Sequence, residues 1–143
     1  MNRTPRLLLA LGAWLAGAAV RTAAAAAPPV PPAPPALSGP ELRCGWFDNP
    51  TPGNAWLTDR QAQWVIGIQG GHQADGDWPD IPDAQWVFTN GHYGYGCACL
   101  RVLVDPRTHE IQRILHATAR PLKACEQDRT LPRRRPGADA AQR

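Results

Sequence analysis

Between Cys97 and Asp105 the chain alternates, with Ala98, Leu100, Val102 and Val104 on one side and Cys99, Arg101 and Leu103 on the other. A period of two is that of a strand with one face buried. Asp105-Pro106-Arg107-Thr108 is a turn sequence, because proline presets φ and aspartate bonds its own backbone. The return stretch Glu110 to Ala119 (EIQRILHATA) carries Ile111, Ile114 and Leu115 at a spacing that also fits a helix. The tight turn before it and Pro121 after it favour a bulged strand. Ala55 to Thr58 and Gln63 to Gln69 predict a second hairpin around Asp59-Arg60-Gln61, with Trp64, Ile66 and Ile68 on one face. Gln85 to Thr89 is a further strand that ends at the turn pair Asn90-Gly91, and Leu42 to Phe47 a short one carrying Cys44. About six short strands without a convincing helix predict an all-β fold, a small antiparallel sheet or barrel, with α+β as the alternative class.

The two ends of the chain read differently. Arg3 and Arg6 precede the uncharged apolar run Leu7 to Val20, and small residues follow up to Ala27. That order is the order of a secretory signal peptide, expected over residues 1–27. The apolar run of 14 residues is shorter than the roughly 18–20 that span a bilayer, so no transmembrane segment is expected after cleavage. Residues 28–40 (PPVPPAPPALSGP) form a proline-rich linker, extended because proline fixes φ and lacks a backbone donor. Residues 129–143 contain Arg133-Arg134-Arg135, two prolines and little apolar content, and read as a basic disordered tail. The working domain is then residues 41–128. A domain of about that size buries only some 60–65% of the surface its unfolded chain exposes, so it needs a staple beyond its core.

Charge changes sign once the ends are set aside. The whole chain is +3, but residues 41–128 hold seven basic and eleven acidic side chains, a net −4. Nucleic-acid binding requires a basic face on the folded part and is not expected.

Four cysteines, Cys44, Cys97, Cys99 and Cys125, supply the staple. An even count in an exported chain implies disulfides. Zinc would favour paired C-x₂-C knuckles, and the only close pair here is Cys97-x-Cys99. On a strand those two point to one face with parallel Cβ vectors, a poor disulfide geometry. Two pairings remain, and Cys97–Cys125 with Cys44–Cys99 is the preferred one.

Candidate chemistry gathers in the loops. Of six tryptophans, Trp14 belongs to the leader. Trp64 and Trp86 sit on strand patterns and are expected in the core. Trp46 and Trp78 are candidates for exposure, since Trp78 lies among turn formers (GDWPD) and Trp46 precedes Phe47-Asp48-Asn49-Pro50. The loop Gly70 to Asp83 concentrates His72, Asp75, Asp77, Asp80 and Asp83, without the order of residues a calcium loop requires. Asn90 to Cys97 is a glycine and tyrosine connection containing His92 and Tyr93. Trp46, Trp78, His72, Asp77, His92 and Tyr93 are therefore the expected ligand-binding residues. No nucleophile elbow, paired carboxylates or metal-ligand spacing appears, and no cofactor or catalytic residue is assigned.

At Arg43-Cys44-Gly45-Trp46-Phe47 the sequence resembles a bacterial family of small exported proteins of unknown function marked by an Arg-Cys-Gly-Trp stretch. NPTPGNAWLTD, QGGHQADGDWPD and YGCACLRV extend the resemblance over about residues 42–126. It implies no activity, and no site residue carries over. The functional expectation is a monomeric, periplasmic or extracellular, non-enzymatic domain that binds an envelope protein or glycan through its loops. The alternative is a small metal-dependent or acid–base enzyme centred on His72, Asp77 and His92.

Overall fold

The structure, a computed structural model, describes residues 37–134. The expected leader, residues 1–27, and residues 28–36 of the expected proline-rich linker lie outside the described residues. Six strands are present: β1 (Glu41–Thr51), β2 (Asn54–Thr58), β3 (Gln63–Gly67), β4 (Val87–Asn90), β5 (Tyr93–Asp105) and β6 (Glu110–Arg120). A three-residue 3₁₀ turn at Asp83–Gln85 precedes β4, and one short helix, α1 (Leu122–Gln127), follows β6.

Five strands close a ring in the order β1-β2-β3-β6-β5 and back to β1, while β4 pairs with the start of β5 beyond the end of β6. The expected all-β class, the two hairpins and the bulges of β6 are all present, although β1, β5 and β6, with 11, 13 and 11 residues, are longer than the short strands expected. The sheet is mixed, however, not purely antiparallel. β3 and β6 run parallel at Val65 and Glu110. A ring with an odd number of strands cannot alternate direction all the way round, so one parallel neighbour is unavoidable. This order is the connectivity of the five-stranded Greek-key barrels of OB type, with β4 added; the likeness is of topology and says nothing of ligand.

Alternation sorts each strand into an inside and an outside. Leu57, Ile66, Leu100, Val102, Val104 and Ile111 are fully buried and fill the barrel with Phe47, Trp64 and Ile114. Burying each such side chain contributes about 1.5–3 kcal/mol. β1 serves two layers. Phe47 points into the barrel, whereas Trp46 points outward and is nonetheless buried, under a second layer formed with Cys97, Cys125 and Leu131. The helix was not expected, because six residues are too few to show a helical period.

That outer layer corrects the expected tail. The chain does not leave the domain at Arg129. Leu131 is buried, the Pro132 carbonyl accepts a hydrogen bond from Trp46 Nε1 at 3.0 Å, and Arg134 pairs with the buried Asp48. A Trp Nε1–H that is covered needs an acceptor, and this one is supplied by backbone 86 residues away. Residues 135–143 lie outside the described residues. At the other end, Ser38 already bonds Val104, its N–H donating at 3.0 Å.

The disulfides are Cys44–Cys99 and Cys97–Cys125, the preferred pairing. Cys44 and Cys99 face each other across the β1–β5 seam, and Cys125 ties α1 to β5.

Candidate functional site

The Arg43-Cys44-Gly45-Trp46 stretch is built for structure. Arg43 points into one end of the barrel and is buried. Its Nη1 donates to Asp59 Oδ2 at 2.7 Å and Gln61 Oε1 at 2.8 Å, and its Nη2 to Glu41 Oε2 at 2.8 Å. The guanidinium stacks 3.6 Å from the Trp64 ring centroid, a geometry that a planar, weakly hydrated cation accepts. Burial alone would push the Asp59 carboxyl up. The backbone amides of Ala62 and Gln61 and the Arg43 guanidinium outweigh it and hold that carboxyl below its ordinary value. Gly45 has no room for a side chain, since a Cβ there would lie 2.0 Å from the Thr58 carbonyl oxygen. Cys44 staples the seam, and Trp46 anchors the outer layer.

Trp46 is thus a correction, because only 2% of it is exposed and it cannot join a binding face. The sequence gives no warning of this. Its cover comes from Leu131 and Pro132, in a segment whose composition is that of a solvated tail.

The other candidates part company. His72 Nε2 lies 2.8 Å from the Ile111 carbonyl, which makes it part of the scaffold between loop and β6. Asp77 is exposed, and Tyr93 is half-buried at the start of β5. Trp78 and His92 do meet, in a groove of 260 Å³ beside β4. Among the described residues no group of three or more His, Cys, Asp or Glu side chains is placed to hold a metal ion.

The groove rests on Phe47, whose ring sits 6.2 Å from Trp78 in an edge-on arrangement and 6.0 Å from Trp86. Trp86 can lie against β5 because Gly94 and Gly96 leave space. A Cβ at Gly94 would stand 3.0 Å from Trp86 Nε1, and one at Gly96 3.1 Å from Cε3. The glycine and tyrosine stretch is therefore strand whose glycines admit an aromatic ring. Phe88 borders the groove with 51% of its surface exposed, and Asp80 and Asp83 stand exposed at its edge. Neither carboxylate has an ion-pair partner among the described residues. Trp86, Phe88, Asp80 and Asp83 escaped the sequence reading as site residues. The alternation of QWVFT places Trp86 and Phe88 on one side of a strand, and that was the available signal.

A larger hollow, 430 Å³, opens beside Arg43 at the opposite end. Its principal charges, Glu41, Arg43 and Asp59, are already engaged with one another. The aromatic groove is the better candidate, because it adds exposed and half-buried aromatic faces to carboxylates that have no ion pair among the described residues.

A family described as a protein of unknown function (DUF4087) matches residues 38–132. The chain belongs to this family. The match covers all six strands, α1 and Leu131, so the outer cover is included in it. No curated protein and no solved structure matches. Two disulfides suit an oxidising compartment. No helix among the described residues is long and apolar enough to cross a membrane.

Proposed function

We propose that this DUF4087 domain is an exported, non-enzymatic binding module that holds an envelope partner, protein or glycan, in the groove walled by Trp78, Trp86 and Phe88. The observation that carries the reading is the exposed Phe88 beside Asp80 and Asp83, two carboxylates with no ion-pair partner among the described residues, on an aromatic floor. Aromatic faces with a few convergent polar groups are what sugar rings and peptide side chains use. Export rests on the charged, apolar, small order of residues 1–27 and on the disulfides. The enzyme reading has less support, because His72 is engaged with the Ile111 carbonyl and does not share the groove with His92.

The test has two arms: retention of envelope proteins by the immobilised domain, and co-sedimentation with insoluble cell-wall glycan. One arm should retain the native domain and lose at least about tenfold in affinity with Phe88→Ala and with Trp78→Ala, as expected for aromatic anchors. Phe88 is half-exposed, so its removal leaves the fold intact. Undiminished retention in both variants, or no retention in either arm, sinks the proposal.

A further inference from the structure

The two disulfides sit in unlike surroundings. Cys97 and Cys125 are buried, 3% exposed each, beneath Trp46 and Leu131. Cys44 is exposed and Cys99 half-buried, on the outer face of the barrel. All four cysteines line one cavity of 180 Å³, whose wall also carries Arg120, the strand partner of Cys97, and Asp128. The seam that Cys44–Cys99 crosses is also held by a continuous ladder from Glu41 opposite Val102 to Asn49 opposite Gly94. Its register does not depend on the sulfur bridge. Cys97–Cys125, in contrast, is the covalent tie between α1 and the sheet.

We propose that Cys44–Cys99 is a thiol-exchange site, open to an external dithiol while Cys97–Cys125 stays closed. The attacking thiolate bonds to Sγ of Cys44, the more exposed residue of the pair; the Cys44–Cys99 bond breaks and Cys99 leaves as a thiolate. The second thiol of the reductant, deprotonated, then displaces Cys44 from the mixed disulfide. Cys44 and Cys99 end as thiols after taking up protons, and the reductant ends as a disulfide, so two electrons pass. Exchange requires access to one sulfur and a stabilised leaving thiolate. Exposure of Cys44 gives the first, and the half-buried Cys99 lines an open cavity where water can solvate the departing thiolate.

The full native chain is equilibrated with dithiothreitol redox buffers without denaturant, alkylated, and mapped by peptide mass spectrometry. Cys44 and Cys99 should become labelled at a reductant level at least about tenfold below that labelling Cys97 and Cys125, with near-ultraviolet dichroism unchanged. Simultaneous labelling of all four cysteines, labelling only with loss of the dichroism, or earlier opening of Cys97–Cys125 would overturn the site.

Discussion

Trp46 and Phe47 are neighbours in the chain and belong to different layers. Phe47 completes the barrel interior and floors the groove, in a core closed by strand pairing on every side. Trp46 lies outside the ring, covered by α1 and by the segment through Arg134. The inner layer is specified by periodicity, and each of its residues is held by several strands. The outer layer is specified by a disulfide, one hydrogen bond to a distant carbonyl and an ion pair. Burial of the same degree is thus reached by two routes, one cooperative and one dependent on a few contacts.

The comparison breaks most severely at the closed end of the barrel. Arg43→Ala removes the partner of a buried carboxylate and should destabilise the domain by about 3–5 kcal/mol, read by urea unfolding. If the change costs under about 1 kcal/mol, the inner layer does not rely on that plug. Replacing both Cys97 and Cys125 by alanine opens a 28-residue separation, worth about 3–4 kcal/mol in the chain-entropy model. Hydrogen exchange should then rise in 122–134 well before it rises in β5. Equal acceleration in both would mean that the layers unfold as one.

Ending the chain after Asp128 strips Leu131, the acceptor of Trp46 Nε1 and the partner of Asp48. The expected loss is about 2–3 kcal/mol, with tryptophan emission shifting to longer wavelength as Trp46 meets water. An unshifted spectrum would show that residues 129–134 do not cover it.

A smaller effect is set by pH. Asp59 has its carboxyl held below the ordinary value, so the unfolded chain takes up a proton first as acid is added. The stabilisation is complete above the unfolded value and is lost as pH falls through the lower folded one. Asp59→Asn should flatten the acid limb of the stability profile below about pH 4. The least effect is expected at the exposed pair Asp75–Arg113, 3.1 Å apart, where Arg113→Ala should cost no more than about 1 kcal/mol.

The inner layer was largely legible, because alternation along Ala98 to Val104 and along Trp64 to Ile66 reports directly which side chains face a core. The same alternation excluded a Cys97–Cys99 bond but left two pairings open, of which the preferred one is present. The parallel β3–β6 contact was not legible, since it is a property of ring closure and of no single segment. Nor was the outer layer, where one buried leucine in an arginine- and proline-rich stretch gives no periodic signal. For the site, Trp78 and His92 were found and their companions missed. Phe47, Trp86 and Phe88 come together through the pairing of β1 and β4 with β5, where Gly94 and Gly96 admit the Trp86 ring, and no local pattern shows that.

The two-layer use of β1 also bears on how the family can change over time. Substitutions within Arg43 to Phe47 alter one layer at a time, but a single inserted or deleted codon there reverses every assignment at once. It would drive Trp46 into the barrel, expel Phe47 and carry Cys44 off its partner. Length in this stretch is therefore constrained more strictly than any one of its side chains.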